Sequence, residues 1–115
     1  MLYDKRWEYD PVCDVLYRAA DLIDQRGLTK YCLVDHEGKL CTLGAINMAI
    51  TGNPYYGGYC SDKEKENLLE ETQNRIISRL SALNRIYDVV DWNNRPERTK
   101  KEVVDALREV AAALP

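Results

Sequence analysis

The sequence predicts a mainly α fold: three to four helices around one core, with a small β-hairpin between the first two. Three observations predict it. Apolar residues recur at helical spacing in three stretches, helix-start signals stand before those stretches, and glycines stand where the early ones stop. The chain has 115 residues, an ordinary length for one domain and enough to bury its own core. No repeat, low-complexity tract or interior linker divides it, so residues 1–115 are read as a single globular domain.

Asp10-Pro11 opens the first helix, because Asp is a good N-cap and Pro fits the first turn. Val12, Leu16, Ala19, Ala20 and Ile23 then share one face, and Asp14, Arg18, Asp21 and Asp24 lie on or beside the other. Gly27 is the stop. From Lys30 to Cys41, two short apolar pieces flank Asp35-His36-Glu37-Gly38, a turn with Gly at the left-handed position. Pairing Val34 with Lys39 sets Cys32 opposite Cys41. Thr42 to Thr51 is short and apolar on several sides, which predicts a buried helix ended by Gly52. Gly44 inside it costs helix propensity, and the expected return is close packing against another backbone.

Asn53 to Cys60 cannot be a regular element with Pro54, Gly57 and Gly58 in it. Ser61-Asp62-Lys63-Glu64 reads as a capping box that launches a long helix reaching about Asn84, with Leu68, Leu69, Thr72, Ile76, Leu80 and Leu83 on its buried stripe. Periodicity does not decide whether Ile86 to Trp92 continues that helix or forms a short buried extension. Asn93 to Arg98 is a loop. Thr99-Lys100-Lys101-Glu102 is a second capping box before a last helix, whose inner face is Val103, Val104, Leu107, Val110, Ala111 and Leu114. Leu2, Tyr3, Trp7 and Tyr9 are expected to pack over the bundle.

Composition narrows the function classes. The formal charge is −3, which argues against a general nucleic-acid or membrane-surface binder. There is no Phe, and eight Tyr and two Trp carry the aromatic volume, each with a polar atom that needs a partner if buried. No apolar run stands at the start, and no stretch approaches the roughly 20 apolar residues of a membrane span. The expectation is a cytoplasmic protein whose Cys13, Cys32, Cys41 and Cys60 are thiols or ligands rather than disulfides.

Three segments, in their order and spacing, carry a family resemblance. They are the Ala19-Ala20-Asp21-Leu22-Ile23 helix end, Cys41-Thr42-Leu43-Gly44-Ala45-Ile46, and Trp92-Asn93-Asn94-Arg95-Pro96-Glu97-Arg98-Thr99 before a helix with Glu102-Val103. The chain resembles an uncharacterised small domain family of actinobacteria and the phages that infect them, from about residue 10 onward. At Asn94 it departs from a pattern that usually has Asp. The resemblance implies a phage or actinobacterial origin and carries no established activity.

Several chemistries can be weighed residue by residue. Cys32, His36, Cys41 and Cys60 are atoms zinc favours, but no CxxC pair is among them and a short hairpin would have to bend both ends toward one ion. The plain alternative makes Cys32 and Cys41 small core residues and leaves His36 solvated. Cys41 precedes a helix, where the dipole lowers a thiol pKa, yet His36 is the only histidine and reaches it awkwardly. Arg95, Arg98, Lys100 and Lys101 gather at a helix N-terminus that attracts anions, but Glu97 and Glu102 interrupt them. No catalytic set emerges, and no cofactor is implied.

The remaining expectation is a small non-enzymatic interaction protein that binds another protein, a host factor if the origin is a phage. Tyr55, Tyr56 and Tyr59 around Gly57-Gly58 have the composition of adaptable recognition loops. Trp92 and Arg95 are further partner-binding candidates. Against these stands a structural reading, in which the rings cover the core, Trp92 anchors its loop and an Asn side chain caps backbone groups. The alternative function is a small zinc-binding or regulatory module on Cys32, His36, Cys41 and Cys60.

Overall fold

A computed structural model describes residues 10–55, 62–84 and 88–113, with the side chains of 81–84 left aside. Five helices are present among the described residues: α1 (Pro11–Arg26), α2 (Thr42–Thr51), α3 (Lys63–Asn84), α4 (Val89–Asn93) and α5 (Lys100–Ala112). The count exceeds three to four because Val89–Asn93 forms a turn of helix of its own, with Asp88 accepting the Asp91 amide as N-cap. None of these helices is long and apolar enough to cross a membrane.

The helix ends follow their local chemistry. The Asp10 side chain accepts the Val12 amide, and Pro11 fills the first turn of α1. Gly27 stops the helix at φ +103°, where its amide donates to the Ile23 carbonyl. Helix α3 is capped by Asp62, whose carboxylate accepts the amides of Glu64 and Lys65. The capping box centred on Ser61 involves a residue outside the described ones. The box at Thr99 forms as expected, with Thr99 Oγ1 accepting the Glu102 amide at 3.1 Å.

Helix α1 is the centre of the molecule. Its largest interface is with α5, and it also packs against α2 and α3. The α1–α5 pair is antiparallel: Cys13 Sγ donates to the Ala111 carbonyl at one end, and Lys100 Nζ donates to the Asp24 carbonyl at the other. The expected apolar faces are buried. Val12, Leu16, Ala19, Ala20 and Ile23 meet Val103, Val104, Leu107, Val110 and Ala111, with Thr72, Ile76 and Leu80 from α3 closing the core. Leu68 and Leu69 are half-buried. Leu2, Tyr3, Trp7, Tyr9 and Leu114 lie outside the described residues, as does the Leu83 side chain.

The expected hairpin is reduced to isolated bridges, and no strand occurs among the described residues. Leu40 sits at the centre, bridged antiparallel to Val34 on one side and parallel to Leu28 on the other. Val34 thus opposes Leu40 rather than Lys39. The shift comes from the turn, where the Asp35 carboxylate accepts the amides of Glu37 and Lys39 and its own amide donates to the Lys39 carbonyl. These bonds close the loop one residue wider and leave too little chain for a ladder. The wrap brings the Leu33 carbonyl onto α2, where a Cβ on Gly44 would lie 2.1 Å from that oxygen. The close approach expected at Gly44 is therefore present.

Candidate functional site

The most unusual local structure lies where the chain between α1 and α2 meets the loop between α4 and α5. Asn93 ends α4 fully buried and works as a four-way clamp. Its Oδ1 accepts from the Thr42 amide at 2.9 Å and from Thr42 Oγ1 at 2.7 Å. Its Nδ2 donates to the Thr29 carbonyl at 3.0 Å and to Asn94 Oδ1 at 3.2 Å. The first two bonds satisfy donors at the start of α2, which otherwise lack partners. The third ties the α1–α2 connection to the same point.

Asn94 then reaches across to Tyr31. Its Oδ1 accepts the Tyr31 amide at 3.0 Å, and its carbonyl accepts the Tyr31 hydroxyl at 3.3 Å. Beside it, Lys30 Nζ donates to the carbonyls of Arg95 and Pro96. Tyr31 pays for this geometry with φ +68°, the only positive φ outside glycine among the described residues. That region costs a side-chain-bearing residue about 1 kcal/mol or more, and a bulky one there marks strain with a purpose or a tight turn. Nor does burial offset the cost, since Tyr31 is 79% exposed. A large aromatic ring is thus held outward by bonds to a segment more than sixty residues away.

The sequence candidates fall unevenly around this site. Trp92 is buried, 2% exposed, with Arg98 stacked over its ring at 4.6 Å and donating from Nε to the Trp92 carbonyl. It anchors the loop from within and offers no partner-binding surface. Arg95 is half-buried and paired with Asp91 at 3.6 Å, one turn back on α4. Tyr55 is exposed at 63%, and its amide donates to the Asn53 side chain. Tyr56 and Tyr59 lie outside the described residues. The expected basic patch is internally neutralised: Arg98 pairs with Glu102, Lys100 with Asp24 and Lys101 with Asp105.

The thiol and imidazole groups do not gather into one cluster among the described residues. Cys41 is buried as the N-cap of α2, its Sγ accepting the Gly44 amide at 3.2 Å. Burial pushes its thiol pKa up, outweighing the hydrogen bonds from Gly44 and Leu43 that act to lower it. The helix start therefore does not deliver an activated thiolate. Cys32 is exposed rather than a core residue, in contact with Thr29 Oγ1 at 3.7 Å. The His36 side chain is 90% exposed at the turn tip, with Nε2 3.9 Å from Glu37 Oε1. Among the described residues no three His, Cys, Asp or Glu gather closely enough to hold a metal ion, so Cys32, His36 and Cys41 do not form a shared site. Cys60 is outside the described residues.

Tyr31 is the candidate residue that the sequence does not single out. Its only local signal is a Tyr in a polar loop, and the partner that fixes its backbone is distant in the chain. The Asn93-Asn94 pair was the available pointer, since Asn side chains cap backbone groups.

A family model described as a family of unknown function (DUF6197) matches residues 8–113. No curated protein and no solved structure matches the chain.

Proposed function

The chain belongs to that family of unknown function, DUF6197, and on this footing we propose that it is a small non-enzymatic domain that binds another protein. The single observation that carries the reading is Tyr31: a ring 79% exposed and fixed in a strained backbone conformation by Asn94. Tyrosine supplies large amphipathic contact area at low entropic cost and is enriched at interface hot spots. Fixing the ring before contact removes ordering cost from association. The Arg95 and Pro96 carbonyls are tied to Lys30, the residue before Tyr31, and Tyr55 is a second exposed ring. Thiols left unpaired at Cys13, Cys32 and Cys41 favour action in the cytoplasm. An actinobacterial or phage origin agrees with the segments Cys41–Ile46 and Trp92–Thr99, and for a phage chain the partner is a host factor. The scattered Cys32, His36 and Cys41 lend no support to a zinc module.

The test is a photo-crosslinking amino acid placed at Tyr31 in cells of the native or host organism, beside affinity capture with the native chain and Tyr31→Gly. Glycine accepts the φ of +68°, so this variant keeps its fold and removes only the ring. The expected outcome is one crosslinked protein, captured by the native chain and lost by Tyr31→Gly. Equal capture by both chains sinks the reading.

A further inference from the structure

Arg18, Arg75, Arg95, Arg98 and Arg108 each set a guanidinium against a carboxylate. Arg26, in the last turn of α1, turns onto sulfur instead. Its Nη1 donates to Met48 Sδ of α2 at 3.8 Å, and the contact is open to solvent. A thioether is a weak acceptor, so this charged donor is matched to a group that uses it poorly. Beside the contact, Met48 and Ala49 of α2 and Arg18, Asp21, Leu22 and Gln25 of α1 line an open groove of about 280 Å³. A water molecule's share of the liquid is about 30 Å³, so a molecule of a few heavy atoms enters with room to spare. Met48 itself is half-buried and packs against the core cluster. Its carbonyl accepts the Gly52 amide that ends α2 at 2.8 Å.

We infer that Met48 is a modification site, where a hydroperoxide oxidises the thioether to the sulfoxide and Arg26 promotes the step and holds the product. A sulfur lone pair attacks the hydroxyl oxygen of the peroxide; an S–O bond forms and the O–O bond breaks. The leaving oxygen takes the proton of the transferred one and departs as water or alcohol. The sulfur is oxidised by two electrons, and one peroxide is reduced. Negative charge gathers on the oxygens as their bond breaks, and guanidinium N–H groups already stand against the sulfur to meet it. The sulfoxide oxygen then replaces sulfur as the acceptor for Arg26, and it is much the better one. Oxidation also makes polar a side chain that packs on the core, which loosens the joint between α1 and α2. The inference is independent of the Tyr31 reading and shares no residue with it.

The experiment mixes the 115-residue chain with N-acetyl-methionine amide and hydrogen peroxide, and follows both sulfoxides in time by mass spectrometry of the digested protein. Met48 should oxidise about fivefold faster than the small reference, the gain of one modest hydrogen bond in the transition state. Arg26 is exposed at its helix end, so Arg26→Gln and Arg26→Lys both keep the fold, which circular dichroism checks. Arg26→Gln should bring Met48 to the reference rate or below, and Arg26→Lys should keep part of the gain. Full oxidation should lower the Tm of the native chain and leave that of Met48→Leu unchanged. A Met48 rate at or below the reference in the native chain overturns the inference. So does an equal rate in Arg26→Gln, which would make Met48 an accessible methionine and nothing more. An equal loss of Tm in Met48→Leu would move the damage to other side chains and overturn the loosening of the joint.

Discussion

At Gly44 a missing side chain is the structural element. The Leu33 carbonyl occupies the space a Cβ would need, at 2.1 Å, and that oxygen is backbone that cannot swing aside. It also accepts the Cys41 amide, so moving it breaks the bond that seats the wrap. Gly44→Ala should gain helix propensity yet lose about 2 kcal/mol or more overall, because overpacking outweighs the gain. Urea unfolding would show a lower midpoint at unchanged slope; a midpoint equal to or above the native one would refute the account. This position was legible in the sequence, since glycine inside a buried apolar helix is costly without a close neighbour. Tyr31 was not legible. Its φ is set by Asn94, and no local composition reports a hydrogen bond that spans the molecule. Trp92 was half legible: the residue type marks an anchor, but only the packed loop decides whether the ring faces in or out.

The helices themselves were largely readable, because each announces its ends by short-range chemistry. Asp10, Thr99 and Gly27 act where their residue types say they should. The hairpin was misread for the opposite reason. Apolar alternation over a few residues does not say how many hydrogen bonds the turn itself will take up, and Asp35 takes four of them. Two elements depend on one side chain at each joint. Asn93 joins α4 to α2, and its loss strands the Thr42 amide, the Thr29 carbonyl and a buried cavity. Asn93→Ala should cost about 3 kcal/mol, measured by urea or thermal unfolding; a loss under about 1 kcal/mol would show that water replaces the clamp.

Asp10 joins α1 to α3 through its ion pair with Arg75. Burial acts to raise the Asp10 carboxyl pKa, but the Arg75 hydrogen bond and charge and the Val12 amide outweigh it and hold the group below 3.8. A folded-state value below the unfolded one stabilises above the unfolded value, and that stabilisation is lost as pH falls through the folded one. Asp10→Asn still caps α1 but drops the charge. Its stability deficit at neutral pH should therefore shrink as pH falls below about 4. A deficit constant from neutral to acid would remove the ion pair from the account.

For the whole molecule, α1 is the helix that contacts α2, α3 and α5 together. Leu16 is fully buried along it and part of the shared core cluster. Leu16→Ala should cost about 3 kcal/mol, and far-UV and near-UV circular dichroism should still report one coincident transition. Separate transitions would divide the chain into independently stable parts. Charges on the outside contribute little to this cooperativity. The Arg108 pairs with Asp21 and Asp24 are solvent-facing, and such pairs contribute about 1 kcal/mol at most.

The Asn93-Asn94 clamp also sets a schedule for synthesis. A ribosome delivers the chain from its N-terminus, and domains fold as their parts emerge. Residues 29–42 appear early, yet the side chains that give Thr29, Tyr31 and Thr42 their final bonds come from positions 93 and 94. Tyr31 therefore has no fixed pose on a half-made chain. The face it presents is assembled only when the last third is out, so a nascent or prematurely terminated copy displays the residue without the shape.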